Sequence, residues 1–275
     1  MTQSNELLIK KEKLNQYFYQ LLEKGDICIA FSGGVDSSVL LKTATDQADK
    51  LNRKVYAITF QTVLHTQADL INAKNIASKT SAIHNVIEIN ELDNEQLLNN
   101  PIDRCYICKN HLFGQMMEYA KRFGVEIFVE GTNRDDLDVY RPGIKAVKEL
   151  GVHSPLAELE IRKAEVRELA RLENLEVASR PSTPCMATRL PYNTRITEEI
   201  LERIKSGEEV VRAYGYQNVR VRLHGDIARI EIDFSDFTDF LIHKEEIAKK
   251  LKELGFRYIT LDMEGFRSGS MDIFE

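Results

Sequence analysis

The stretch A-F-S-G-G-V-D-S-S, Ala30 to Ser38, constrains the fold of this chain more than any other. It follows a short apolar run, Asp26 to Phe31, that reads as a buried strand, and Val39 to Ala48 after it read as a helix. Gly33 and Gly34 lack a Cβ, so the backbone there can take unusual dihedrals and come close to a ligand. Ser32, Ser37 and Ser38 surround the helix start with hydroxyls, and the free N–H groups of a helix start favour an anion. The glycines are adjacent, which rules out the dinucleotide motif G-x-G-x-x-G. No lysine follows the second glycine, which rules out the G-x-x-x-x-G-K-S/T phosphate loop.

S-G-G-V-D-S-S closely resembles the pyrophosphate-loop (PP-loop) motif, S-G-G-x-D-S, of the ATP pyrophosphatase superfamily. Families with that loop split ATP between the α and β phosphates, adenylate a carboxylate or carbonyl, and release pyrophosphate. The resemblance implies that Ser32, Gly33, Gly34, Ser37 and Ser38 hold the leaving pyrophosphate and that Asp36 helps to position Mg²⁺. The plain alternative is a glycine turn that only joins a strand to a helix.

An amphipathic helix is expected over residues 5–24, a strand over Lys54 to Phe60, a helix over Gln67 to Thr80 and a third apolar run over Asn85 to Ile89. Strands alternating with helices imply a parallel sheet whose ligands sit beyond the carboxyl ends of the strands. Phe60, at such an end, either packs against adenine or belongs to the core. Leu112 to Phe123 read as a helix, and Glu126 to Val129 as a strand running into E-G-T-N-R-D-D, Glu130 to Asp136. Gly131 thus stands where a metal or ribose would be met, although turn chemistry alone also accounts for the Gly and Asn. Lys163, near the start of a helix over Arg162 to Glu173, either reaches a phosphate or is solvated.

The 275 residues suffice for one large domain or two smaller ones. From Ser179 to Thr194 the chain turns irregular and rich in Pro, Ser and Thr, which sets the expected boundary between domains 1–185 and 186–275. Beyond it come a helix from Thr197 to about Tyr214, a hairpin of Val219–Leu223 with Ile227–Ile232, a helix over Glu245–Leu254 and a strand over Tyr258–Leu261. The expected fold class is α/β, a parallel sheet with helices on both faces, plus a smaller carboxyl-terminal α+β domain. A net charge of −6 argues against a surface that tracks long nucleic acid and suits a small anionic substrate better. No apolar run approaches the ~18 residues of a membrane span, and Met1 to Lys13 carry no signal-peptide core, so a cytoplasmic protein is expected.

Cys105 and Cys108 stand in R-C-Y-I-C-K and Cys185 in P-C-M-A-T-R, while Cys28, inside the first apolar run, reads as a small core residue. The two-residue gap lets both thiolates face one metal, and Cys185 could close the set in space. Three cysteines are one ligand short of a structural zinc site. On a [4Fe–4S] cluster they would leave one iron open. By spacing alone, C-x-x-C equally suits a zinc knuckle, a redox pair or two unrelated thiols.

S-G-G-V-D-S-S, E-G-T-N-R-D-D, Y-R-P-G, P-C-M-A-T-R-L-P-Y, R-V-R-L-H-G-D-I-A-R-I-E and G-F-R-Y-I-T-L-D-M-E-G-F-R-S-G together resemble the LarE family. These are ATP-dependent sulfur transferases of the PP-loop superfamily that help to make the nickel-pincer nucleotide of lactate racemase. The resemblance implies adenylation of a carboxylate on pyridinium-3,5-biscarboxylate mononucleotide, then sulfur attack that expels AMP and leaves a thiocarboxylate. Two sulfur sources occur in that family, a sacrificial cysteine that becomes dehydroalanine and a [4Fe–4S] cluster on three cysteines. This chain matches the three-cysteine type, which makes Cys105, Cys108 and Cys185 the expected cluster ligands; under the other version Cys185 is the donor. The resemblance also brings Arg189, Arg220, Arg222, Glu231 and Arg267 into the substrate region and implies a homo-oligomer, while naming no sulfide donor. Arg220 and Arg222 share a strand face, and a guanidinium can bind phosphate with two parallel hydrogen bonds; otherwise such arginines form a solvated face. The rivals are a tRNA thiolase with the same loop and cluster, an amide-forming synthetase and a non-catalytic iron–sulfur sensor.

Overall fold

A computed structural model describes residues 3–139, 141–180, 184–267 and 269–271, with side chains from residue 5 onward. Tyr140 and Ser268 of the motifs above, and Pro181 to Thr183 of the irregular connection, lie outside the described residues. In chain order the elements are α1 Gln3–Lys24, β1 Ile27–Ala30, α2 Val35–Leu51, β2 Val55–Thr62, α3 Gln67–Ala77, β3 Ile83–Ile89 and α4 Glu95–Leu98. Next come α5 Arg104–Lys121, β4 Ile127–Val129, α6 Gly143–Glu149, α7 Pro155–Glu158 and α8 Lys163–Leu172. The remainder comprises α9 Glu198–Arg212, β5 Arg220–His224, β6 Ile227–Glu231, α10 Phe237–Ile242, α11 Lys244–Glu253 and β7 Tyr258–Leu261. Among the described residues no helix is long and apolar enough to cross a membrane.

The chain forms two compact units, Met1–Asn90 with Asp103–Thr183, and Glu91–Ile102 with Pro184–Glu275. In the first unit a parallel sheet runs in the order β3-β2-β1-β4. Side chains of β1 alternate between two cores, as the period of a strand requires. Ile27 and Ile29, followed by Phe31, pack with α1, α2 and α8, whereas Cys28 packs with Tyr56, Ile58 and the α5 residues Phe113 and Met116. Helices therefore cover both faces, as the alternation of elements predicts. β1 lies between β2 and β4, so the winding reverses beside β1, and the crevice beyond the carboxyl ends of β1 and β4 is the place where such sheets take ligands.

In the second unit β5 and β6 pair antiparallel, and β7 joins β6 in parallel. The helix α9 packs on β5, burying Leu201, Ile204 and Val211. The excursion Glu91–Ile102 belongs to this unit, where Asn100 Nδ2 donates to the carbonyls of Leu190 and Pro191 at 3.2 and 2.8 Å.

Two helix starts differ from the sequence expectation. The helix α2 begins at Val35, directly after Gly34, so Asp36, Ser37 and Ser38 lie in its first turn. The helix α5 begins at Arg104, well before Leu112, because no Gly or Pro interrupts residues 104–113. Cys105 and Cys108 consequently ride on a helix.

Candidate active site

The loop between β1 and α2 takes a shape that only glycine tolerates at Gly33. Its φ is +69°, and a Cβ there would lie 2.8 Å from the Cα of Ala73. Asn72 Nδ2 donates to the Gly33 carbonyl at 2.7 Å, and the Gly34 N–H donates to Ser32 Oγ at 3.2 Å. Ser37 Oγ lies 3.2 Å from both Ser32 Oγ and the Gly34 carbonyl. Ser38 is buried, and its Oγ has no hydrogen-bond partner among the described residues. A buried hydroxyl without a partner costs free energy unless a ligand supplies one. The first N–H groups of α2, which have no acceptor within the helix, stand at the same place.

Asp36 is shared by two elements of the first unit. Lys163 Nζ, from the start of α8, pairs with its Oδ2, and Asn133 Nδ2 donates to its Oδ1 at 3.3 Å. Gly131 presses on the same residue, since a Cβ there would lie 3.2 Å from Asp36 Cβ and 3.3 Å from the Ser37 nitrogen. The loop residues, Asp36, Gly131 and Lys163, expected from separate motifs, thus meet. Phe60 is half-buried and packs on the α5-side core.

Glu130, next to Gly131, is a buried hub. It accepts from the Thr132 N–H and Thr132 Oγ1, both at 2.9 Å, from Ser154 Oγ at 2.6 Å and from Lys109 Nζ at 2.9 Å. Burial alone would raise its carboxyl, but the Lys109 charge and the hydrogen bonds from Ser154, Thr132 and Lys109 outweigh that and hold it below the ordinary glutamate value. Ser154 reaches Glu130 because His153 bridges to Val129 at the sheet edge.

No cysteine is in a disulfide. Cys28 is fully buried, and burial pushes its thiol up to about 12, which makes it an inert core residue. Cys105 is exposed and Cys108 half-buried, three residues apart on α5 and hence on one face. Both belong to the first unit, and Cys185 belongs to the second. The Cys185 carbonyl caps a 3-10 turn over Met186–Arg189, accepting from the Thr188 hydroxyl at 2.8 Å.

The second unit gathers arginines and carboxylates on one face of its hairpin. Arg220 stands opposite Glu231 and Arg222 opposite Arg229. Glu231 is fully buried and accepts from Arg222 Nη2 at 2.9 Å, Arg229 Nη2 at 3.1 Å and Ser270 Oγ at 2.5 Å. Arg189, only 1% exposed, forks onto Glu208, which also accepts from Arg212 at 2.6 Å and the Val221 N–H at 3.2 Å. Burial opposes the charge of Glu208, yet Arg189, Arg212 and Arg220 hold its carboxyl below the ordinary range. Arg267 pairs with Asp262 and Glu264. Arg220 lies 5.0 Å over the Phe266 ring, and burial, then the neighbouring charge of Arg189, lowers it to about 10 against the pull of Glu208, with Arg222 and Arg212 adding to the lowering. An added anion would relieve that like-charge crowding.

Sequence reading passed over Lys109, Ser154, Glu208, Arg212 and Asp262. Glu208 leaves one trace, for it falls on the buried stripe of Leu201, Ile204 and Val211.

The PP-loop domain family matches residues 7–139. The chain is 38% identical to an uncharacterised protein of Synechocystis sp. over 96% of its length and 97% of that relative. It is 34% identical to the pyridinium-3,5-bisthiocarboxylic acid mononucleotide synthase of Lactiplantibacillus plantarum, over 90% of its length and 88% of that enzyme. An uncharacterised protein of Methanocaldococcus jannaschii is 33% identical over 95% of the chain and 98% of its own. With the loop formed at the switch point of a parallel sheet and a likeness that runs through both units, the chain belongs to the LarE family of ATP-dependent sulfur transferases within the PP-loop superfamily.

Proposed function

We propose that the protein adenylates a carboxylate of pyridinium-3,5-biscarboxylate mononucleotide and replaces one of its oxygens with sulfur, in nickel-pincer nucleotide synthesis. The observation that carries this reading is the 34% identity to the synthase, which extends beyond the loop domain into the arginine-bearing unit. A PP-loop alone would fit many carboxylate- or carbonyl-activating enzymes.

In this reading the Gly33–Gly34 turn, the hydroxyls of Ser32, Ser37 and Ser38, and the amino end of α2 take the pyrophosphate of ATP. Ser38 Oγ gains the partner it lacks. Asp36 offers the carboxylate for Mg²⁺, and Lys163, now on Asp36, is in reach of added phosphate charge. Phe60 is available to the adenine. The substrate carboxylate attacks the α phosphorus, the bond to the β-phosphate oxygen breaks, and pyrophosphate leaves. Positioning and charge neutralisation supply the catalysis. Arg220, crowded by like charge, binds the nucleotide's phosphate with Arg267, while Arg189, Arg222 and Glu231 hold the face in shape.

Three thiolates, Cys105, Cys108 and Cys185, are the kind and number of donors a [4Fe–4S] cluster would take, and Cys105 and Cys108 share a helix face, although no group of three metal-ligating side chains is gathered among the described residues. Bound by these thiolates, such a cluster would supply an iron site for the sulfide to be transferred. A second reading makes Cys185 the donor, favoured by its place in the arginine unit. There its thiolate displaces AMP to give a thioester. Loss of the Cα proton with cleavage of Cβ–S then releases the thiocarboxylate and leaves dehydroalanine. Cysteines outside disulfides and ATP use suit the cytoplasm.

Exchange of labelled pyrophosphate into ATP, dependent on the biscarboxylate nucleotide, tests the activation step. Exchange without any acceptor requirement, or none at all, contradicts it.

A further inference from the structure

Glu130 ties the nucleotide loop to the cysteine helix. Three of its four donors, two from Thr132 and one from Ser154, come from its own turn and the adjacent bridge. The fourth, Lys109, comes from α5, directly after Cys108 and one helical turn after Cys105. Gly143, at the start of α6, closes on the same helix end, with a Cβ position 3.2 Å from Lys109 Cδ and 3.3 Å from the Cys105 carbonyl oxygen. On its other side the Glu130 turn abuts Asp36 and Ser37 through Gly131. A packed path thus runs inside the first unit from Asp36 through Gly131, Glu130 and Lys109 to Cys105 and Cys108. Groups packed at van der Waals distance pass a displacement on, and a triphosphate beside Asp36 also changes the charge there.

We propose that the Lys109–Glu130 ion pair is a positioning link between the PP-loop and the Cys105–Cys108 helix end, so that Mg–ATP in the loop sets the reactivity of these thiols. The proposal rests on the reading of the loop as the ATP site. Its consequence is order: the sulfur-bearing segment responds only when the activating nucleotide is present. Lys109 touches neither substrate nor the reacting atoms in this scheme; it acts through Glu130.

The test uses the full chain, anaerobic and free of iron, labelled with N-ethylmaleimide with and without Mg²⁺ and α,β-methylene-ATP. Mass spectrometry of the peptides reads Cys105 and Cys108 separately, with buried Cys28 as the unreactive control. In the wild type the analogue is expected to change the labelling rates of Cys105 and Cys108 by about fivefold. Lys109→Arg should keep that response. Lys109→Met should lose it while binding the analogue within about threefold of wild type, a split that a merely structural lysine would not produce. Bound analogue that leaves the wild-type rates unchanged, or a full response in Lys109→Met, overturns the link. No analogue binding by the wild type overturns the nucleotide reading, and the link with it.

Discussion

Gly33 is the residue on which the loop turns. In Gly33→Ala the new methyl meets Ala73 backbone at a φ of +69°, a conformation that costs about 1–3 kcal/mol for a residue with a Cβ. Urea unfolding should show that loss, and pyrophosphate exchange should fall further than stability does, because the turn itself carries the anion contacts. Glu130 gives a pH signature. Its folded-state carboxyl is held below its ordinary value, so its contribution is complete above the ordinary glutamate range and is lost as pH falls through the folded value. Glu130→Gln should therefore cost about 2–3 kcal/mol at neutral pH, and its deficit against wild type should shrink below about pH 5. Unfolding free energies measured from neutral to acid pH check both; a deficit constant with pH would contradict the shift.

At the scale of elements, the sequence announces the β1–loop–α2 unit because its constraints are local: an apolar run, two glycines and the hydroxyls that follow. The start of α5 was less legible, since R-C-Y-I-C-K-N-H has no clear apolar stripe and the amphipathic pattern sets in only at Leu112. Glu208 was hidden for a different reason. A Glu-Glu pair near the end of α9 reads as solvated, and Arg189, arriving from the distant 3-10 turn, is the largest of the contacts, with Arg212 and the Val221 N–H, that make its burial tolerable. Arg189, expected in the substrate region, turns Nε and Nη2 of its guanidinium onto Glu208. Arg189→Met leaves a carboxylate buried with less compensation and should destabilise by about 3–5 kcal/mol, part of which Arg189→Met with Glu208→Gln should recover. Denaturant unfolding of the single and double variants measures this; a single variant within about 1 kcal/mol of wild type would contradict the assignment.

At the scale of the whole molecule, each unit has its own chemistry. The first holds the PP-loop, Asp36, Lys163 and the Cys105–Cys108 pair; the second holds Cys185 and the arginine face. The parallel sheet with helices on both faces was implied by alternating strands and helices, whereas its strand order β3-β2-β1-β4 and the excursion of Glu91–Ile102 into the second unit depend on long-range contacts, for the excursion such as Asn100 to Leu190, which no local pattern encodes. The central claim is ATP-dependent replacement of a carboxylate oxygen by sulfur. Its most direct test is anaerobic incubation of the full chain with Mg–ATP, sulfide and pyridinium-3,5-biscarboxylate mononucleotide, with AMP, pyrophosphate and acceptor followed by mass spectrometry. The account predicts one AMP and one pyrophosphate for each oxygen replaced. ATP cleaved to ADP and phosphate, or AMP released while the acceptor's mass stays unchanged, would contradict it.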